Sequence, residues 1–96
     1  MMTLTALIRC KAGSEHVVRA ALLEVAAFAA REEPGTVSYF VSEAAEPSTF
    51  VTHERYRDKA ALDAHNEGAG ASRFFAATEG HLDNVEVVVG PELFAG

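Results

Sequence analysis

Hydrophobic and polar residues alternate at the start of the chain, and this period of two predicts a β-strand over residues 3–10. Hydrophobic residues then recur every three or four positions, as they do on one face of a helix. We expect a long helix over residues 14–32, with Ser14 as N-cap because its hydroxyl can accept a hydrogen bond from a first-turn amide. The apolar residues of this helix are Val17, Val18, Leu22, Val25 and Phe28.

Two further strands are predicted where β-branched and aromatic residues cluster on either side of a polar loop. Glu33-Pro34-Gly35 precedes the first of them and is interpreted as a turn, because Pro-Gly suits the centre of a type II turn. A short helix should begin at Asp58, whose carboxylate is a good N-cap. The predicted ranges are strands at 36–42, 50–56 and 85–89, a helix at 58–66 and a second helical segment at 71–82.

The predicted order of elements is strand, helix, strand, strand, helix, strand. This order is typical of the ferredoxin-like split βαβ (βαββαβ) fold, an α+β architecture in which both helices cover one face of a four-stranded antiparallel sheet. The uncovered face should be polar, yet Val37, Tyr39 and Val41 alternate with another apolar residue, Phe40. We therefore expect a homodimer that buries this second face.

Length, charge and cysteine content narrow the classes of function. Ninety-six residues suit a single domain over residues 1–96, and no apolar run reaches the roughly 18 residues of a membrane span. A net charge of −6 argues against nucleic acids and anionic membranes as partners. We find no signal sequence and expect a cytoplasmic protein. Cys10 is the only cysteine, and no metal-ligand spacing or phosphate-binding loop occurs, so we expect neither metal nor cofactor.

The segment from Glu54 to His65 carries the strongest candidate chemistry. Ala61, Leu62 and His65 share one face of the helix that begins at Asp58, which aims the imidazole toward the core. Imidazole is suited to general acid–base work near neutral pH, so His65 is a candidate base. The structural alternative is a histidine that only ties the helix to the sheet. Glu54 either orients the imidazole or is itself structural.

Three short motifs occur in order along the chain. They are Glu33-Pro34-Gly35 before a strand that contains Tyr39, the strand end Glu54-Arg55-Tyr56-Arg57-Asp58, and the helical segment Ala61-Leu62-Asp63-Ala64-His65. Together they resemble the antibiotic biosynthesis monooxygenase (ABM) domain, in which a Glu-Pro-Gly turn, a Glu-x-aromatic strand end and an Ala-Leu-x-x-His helix follow one another at about this spacing. The resemblance extends from Thr3 to Val89.

This resemblance implies a dimeric α+β barrel of ferredoxin-like subunits, each with a pocket between its sheet and its helices. Members of the family include cofactor-independent oxygenases of quinols and polyketide anthrones, haem-degrading enzymes and isomerases of small sugars. The haem-degrading branch uses a tryptophan, and this chain has none, so haem degradation is not expected. The resemblance places His65 at the pocket. The candidate substrate-binding residues are Phe74, Phe75 and Leu62. Phe74 and Phe75 line one wall of the pocket if the family geometry holds, although aromatic residues on a helix are more often core residues.

We therefore expect a cofactor-independent monooxygenase that acts on a small, electron-rich aromatic molecule such as a hydroquinone or a polyketide. The candidate catalytic residues are His65 as base, Glu54 beside it, and Tyr39 as a hydrogen-bond donor to a substrate oxygen, although Tyr39 could instead be a core residue. Two alternatives use the same fold and pocket. One is a non-catalytic module that binds a small ligand, and the other is a small-molecule isomerase that uses His65 for proton transfer.

Overall fold

Four strands and three helices make up the computed structural model, which describes residues 1–96. The predicted strands and the first two helices are all present. The last predicted helix is wrong at its C-terminal end, because it stops at Ala77 and Leu82 already begins the next strand. The elements are β1 (Met2–Cys10), α1 (Glu15–Glu32), β2 (Thr36–Glu43), β3 (Thr49–Tyr56), α2 (Lys59–Glu67), α3 (Ala69–Ala77) and β4 (Leu82–Pro91).

The four strands form one antiparallel sheet in the order β2-β3-β1-β4. This topology confirms the ferredoxin-like prediction. The register places Tyr39 opposite Glu54, Glu54 opposite Leu4, and Leu4 opposite Val89. Since opposed residues on paired strands point to the same face, these four side chains form one row across the sheet on the side of the helices.

Twelve buried residues form the hydrophobic core between the sheet and the helices. The largest of them with almost no exposure are Tyr56 and Phe50 of β3 and Leu22 and Val18 of α1. Cover is thinner over β4, where Val87 is 53% exposed and Val89 is 46% exposed although both lie on the helix side of the sheet. None of the helices combines the length and apolarity that crossing a membrane requires.

The two predicted helix caps differ in outcome. Asp58 caps α2 as expected, because its Oδ1 accepts a hydrogen bond of 2.9 Å from the amide of Ala61. Ser14 is the N-cap residue of α1, as predicted, but its hydroxyl accepts no hydrogen bond from a first-turn amide, so the expected capping bond is absent. The Ser14 hydroxyl is instead hydrogen-bonded to Nδ1 of His81, 2.8 Å away, in the segment before β4. The hydroxyl thus makes a tertiary hydrogen bond instead of the local capping bond.

The Glu33-Pro34-Gly35 turn is present but is not of the predicted type. The amide of Thr36 donates to the carbonyl of Glu33 over 3.0 Å, which closes the turn. A type II turn needs a positive φ at its third residue, and Gly35 does not have one. Glycine is required here for space, because a Cβ atom at this position would lie 2.5 Å from Cβ of Ala61. The turn thus packs directly against α2, the helix that carries His65.

Candidate functional site

A cavity of about 230 Å³ lies between the helices and the helix-facing side of the sheet. Most of its wall is aliphatic or aromatic. We call this part the apolar end, and its outer residues are Val85, Val87 and Val89 of β4 with Phe74 and Phe75 of α3. Ionisable and hydrogen-bonding groups gather at the other side. We call this the polar end, and it consists of Tyr39, Thr52, Glu54, His65 and Asn66.

Glu54 is the most deeply buried carboxylate in the site, with only 3% of its surface exposed. Residues two apart on a strand point to the same face, so Thr52 and Tyr56 flank it on β3. The Thr52 hydroxyl donates to Oε2 over 2.6 Å, and the Tyr56 hydroxyl donates to Oε1. Both oxygens are thereby satisfied, which is the condition for burying a charged carboxylate at tolerable cost.

His65 lies between two carboxylates and is itself buried. Its Nδ1 is 2.7 Å from Oε1 of Glu33, and its Nε2 is 3.6 Å from Oε1 of Glu54. Because a carboxylate accepts hydrogen bonds, the short contact assigns the Nδ1 proton to the bond with Glu33. In the neutral imidazole, the other ring nitrogen, Nε2, carries the lone pair, and it lies on the side of Glu54 at the polar end of the cavity. This arrangement suits proton transfer.

Two tyrosines pack against the imidazole. The ring centroid of His65 lies 5.6 Å from that of Tyr39 and 5.4 Å from that of Tyr56. Burial, and after it the Glu54 carboxylate, raises the pKa of Tyr39 well above that of an ordinary phenol. Burial and the hydrogen bond to Glu54 likewise raise the pKa of Tyr56. Both hydroxyls therefore stay protonated near neutral pH and can act as donors, not as bases.

Comparison with known proteins identifies the family. The family model described as antibiotic biosynthesis monooxygenase matches residues 1–77, which is most of the chain. The chain belongs to the antibiotic biosynthesis monooxygenase (ABM) family. The three motifs around Glu33, Glu54 and His65 all lie within the matched residues, so the predicted resemblance is confirmed. A search among curated proteins finds no match.

Solved structures agree with the fold of this ABM domain. Rv0793 from Mycobacterium tuberculosis is 27% identical with a TM-score of 0.87, and the match covers 98% of this chain and 96% of that one. PA3566 from Pseudomonas aeruginosa is 28% identical with a TM-score of 0.86, covering 97% and 94% of the two chains. A candidate antibiotic biosynthesis monooxygenase from Nitrosomonas europaea is 20% identical with a TM-score of 0.89, covering 98% and 100%.

The ABM domain brings most of the predicted site residues together. His65, Glu54 and Tyr39 meet at the polar end of the cavity. Phe74 and Phe75 line its wall and contact each other edge to face, with ring centroids 5.3 Å apart. Leu62 is different, because it is buried in the hydrophobic core and does not line the cavity.

Several residues of the site were missed by the sequence analysis. Glu33 was interpreted only as part of a turn, and its contact with His65 spans 32 positions, a separation that no local pattern indicates. The role of Thr52 and Tyr56 could have been inferred, because the period of two in β3 places them beside Glu54. The valines of β4 were recognised as a strand but not as a cavity wall.

The ionisable groups of the site are not arranged as a metal centre. No group of three or more His, Cys, Asp and Glu side chains in the chain is placed to hold a metal ion. The two carboxylates beside His65 already accept hydrogen bonds, Glu54 from the Thr52 and Tyr56 hydroxyls and Glu33 from His65 and the Thr36 hydroxyl. At the polar end, Nε2 of His65, the Tyr39 hydroxyl and the Asn66 side chain remain available to a bound molecule.

Proposed function

We propose that this ABM domain is a cofactor-independent monooxygenase that acts on a small, electron-rich aromatic molecule of the hydroquinone or polyketide type. The observation that carries the proposal is the environment of His65. A carboxylate holds Nδ1 at 2.7 Å, and Nε2 faces the polar end of a cavity whose remaining wall is mostly apolar. A base next to an apolar binding surface suits a substrate with one acidic hydroxyl on an aromatic ring.

The cavity size supports a small substrate. Its volume of about 230 Å³ is below the roughly 300–1,000 Å³ typical of sites for drug-sized ligands. Val87 and Phe75 on its wall are 53% and 57% exposed, so the cavity opens toward solvent at its apolar end. A substrate of one or a few rings would enter there and present its hydroxyl to the polar end.

The proposed reaction begins with proton transfer from a substrate hydroxyl to Nε2 of His65. The resulting anion transfers one electron to dioxygen, and the two radicals combine to form a carbon–oxygen bond and a peroxide. The peroxide takes up the proton, its O–O bond breaks, and the hydroxyl leaves as water with the proton from the same carbon. A hydroquinone and dioxygen thus give a hydroxyquinone and water, and dioxygen is the only oxidant. The radical pair forms at the polar end, where the buried side chains of Thr52, Glu54 and His65 limit its contact with water.

The other polar residues have distinct roles in this proposal. Tyr39 donates a hydrogen bond to the substrate oxygen, because the raised pKa keeps its hydroxyl protonated. Glu54 faces Nε2 from 3.6 Å and stabilises the imidazolium that forms on proton transfer. Glu54 also holds Tyr56 beside the imidazole ring. Phe74 and Phe75 supply the contact surface for the ring of the substrate.

Oxygen consumption with a panel of hydroquinones tests the proposed function. Replacing the base in His65→Ala should lower kcat at least about a hundredfold, since general bases typically contribute 10²–10⁴-fold. His16→Ala is the matched control, because His16 is exposed on α1 and makes no side-chain hydrogen bond. Equal rates for the His65→Ala variant and the wild type would remove the histidine from the mechanism.

The same experiment distinguishes the proposed oxygenase from the two alternative functions. Substrate conversion that continues without oxygen would favour the isomerase. Binding of a hydroquinone without conversion would favour the binding module. Binding can be followed by tyrosine fluorescence, because the chain has two tyrosines, both beside His65, and no tryptophan.

A homodimer is part of the proposal. The sheet face opposite the helices carries exposed apolar residues, among them Phe40 at 59% and Val88 at 71%. Burying them against a second copy would remove this surface from water. Sedimentation should show a dimer in the wild type and a monomer in Phe40→Arg. Leu23→Arg on α1 is the control, since Leu23 is 58% exposed, and a wild type that sediments as a monomer would contradict this part of the proposal.

Two further parts of the proposal concern organisation and location. The single hydrophobic core of twelve buried residues supports one domain over residues 1–96. We propose the cytoplasm as the compartment, where a free thiol such as the buried Cys10 is kept reduced. The proposed partners of the protein are a second copy of the chain and a small aromatic molecule.

A further inference from the structure

The imidazole of His65 separates two spaces. One is the apolar cavity, toward which Nε2 points. The other is a groove of about 430 Å³ between the end of α1, the following turn and α2, which His65 also lines. The Nδ1 atom is bonded to Glu33 on that side, and Glu33 lines the groove. The ring therefore connects a buried binding site with a groove at the protein surface.

Among Glu33, His65 and Glu54, it is Glu33 whose side chain is most exposed to solvent. Its side chain is 15% exposed, against 6% for His65 and 4% for Glu54. Its Oε1 accepts from Nδ1 of His65 and from the hydroxyl of Thr36, over 2.7 and 2.9 Å. Its Oε2 makes no hydrogen bond within the protein and is available to water.

No other group around the imidazole offers protons a path from the ring to the groove. The two tyrosine hydroxyls stay protonated, because burial and Glu54 raise the pKa of both. Glu54 is closed off, since hydroxyl groups occupy both of its oxygens. The titratable and charged groups that face His65 or line the groove beside it are Glu33, Glu54, Tyr39, Tyr56, Glu32 and Arg57. Of these, only Glu33 both contacts the ring and reaches the groove.

We propose that Glu33 and His65 form a proton relay between the cavity and the groove. When Nε2 takes the proton of the substrate hydroxyl, Nδ1 passes its own proton to Oε1 of Glu33, which exchanges it with water in the groove. When the peroxide needs a proton, Nε2 supplies it and Glu33 returns one to Nδ1. The imidazolium that forms beside Glu54 then loses its extra proton toward the groove, so no net charge stays in the buried ring between the two steps, where a charge is costly. Glu33 acts through His65 and is a positioning residue, and its role in turnover rests on the proposed function.

The relay itself is testable without substrate. In protein labelled with ¹⁵N-histidine, the exchange of the His65 Nδ1 proton with water can be measured by NMR. Glu33→Gln keeps an acceptor for this proton but cannot take it up, so the exchange rate should fall at least about tenfold. Glu32→Gln is the matched control, because Glu32 is the adjacent acid and lines the same groove. Circular dichroism should show that both variants fold. Equal exchange rates in Glu33→Gln and wild type would overturn the relay.

A second measurement tests the relay during turnover of a hydroquinone. In Glu33→Gln, kcat should fall at least about tenfold while KM changes less than about twofold, because the substrate does not touch Glu33. Formate added to Glu33→Ala should enter the groove and restore part of kcat, and the same addition should not help Glu33→Gln. A wild type that shows fast Nδ1 exchange but no oxygenation would contradict the proposed function and leave the relay supported. Wild-type kcat in Glu33→Gln would overturn the relay alone.

Discussion

The polar and apolar ends of the cavity are built on the same rows of the sheet, yet they differ in how they are held. Tyr39, Glu54, Leu4 and Val89 oppose one another across the four strands. At the β3 side, Glu54 is 3% exposed and both of its oxygens are hydrogen-bonded. At the β4 side, Val89 is 46% exposed and is not part of the hydrophobic core. Buried hydrogen bonds thus position the chemistry, while a thinly covered edge supplies the binding surface.

The largest effect is expected from removing the carboxylate that organises the polar end. Glu54→Ala leaves the buried hydroxyls of Thr52 and Tyr56 without their acceptor, which should lower the free energy of unfolding by about 2–4 kcal/mol. Urea denaturation measures this. Glu86→Ala is the control, because the Glu86 side chain is 59% exposed on β4 and should cost no more than about 1 kcal/mol. Similar losses in both variants would show that the polar end is not held by Glu54.

The second prediction concerns the two tyrosines, which are the only ones in the chain. Their pKa values are raised in the folded state, so the unfolded chain ionises first as pH rises above about 10. Stability should therefore fall with rising pH above that point. Tyrosinate absorbance should appear only together with the loss of circular dichroism. Ionisation of either tyrosine in the folded protein near its ordinary pKa would contradict the buried hydrogen-bonded arrangement.

A substitution at the apolar end of the cavity should change ligand affinity and not the free energy of unfolding. Val87→Phe places a larger side chain in the cavity, and we expect aromatic ligands to bind about tenfold more weakly, a change of about 1.4 kcal/mol. The free energy of unfolding should change little, because Val87 is already 53% exposed. Leu23→Phe is the control, since Leu23 is 58% exposed on α1 and does not line the cavity. Tyrosine fluorescence measures the binding, and unaltered affinity in Val87→Phe would place the ligand elsewhere.

The smallest effect is expected outside the cavity. Arg55, on the other face of the sheet, donates two hydrogen bonds to Glu92 beyond β4 and thereby lowers the pKa of that carboxyl. A lowered pKa stabilises the fold fully above the unfolded value, about 4.3, and the contribution is lost as pH falls through the folded value. Glu92→Gln should slightly lower the melting temperature at neutral pH and leave it unchanged in strong acid. Glu24→Gln, which breaks no ion pair, should change neither.

The sequence was sufficient for the parts of the site that depend on neighbours along the chain. Asp58 caps α2 because its carboxylate reaches an amide only three residues away. The helical period then turns His65 inward, and the period of two in β3 turns Glu54 the same way. The prediction that these two residues meet was therefore possible before the sheet was known.

Other parts could not be predicted because they depend on how elements pack. The Ser14 hydroxyl is hydrogen-bonded to His81, and the Glu33 carboxylate to His65. Both histidines lie far along the chain from their partners. Leu62 shares a helical face with His65 but packs in the hydrophobic core and does not line the cavity. The helical period gives the direction of a side chain but not the distance to the wall it faces.

The sequence by itself determined the order of the strands and helices, the family, and which faces of β3 and α2 point inward, because these follow from patterns that span a few residues. The tertiary structure alone decided that Glu33 holds the proton on Nδ1 of His65 and that half-exposed valines of β4 form the wall of the cavity. The physical reason is that a contact across 32 residues, and the cover over an edge strand, depend on the packing of whole elements. No periodicity in the sequence encodes either of them.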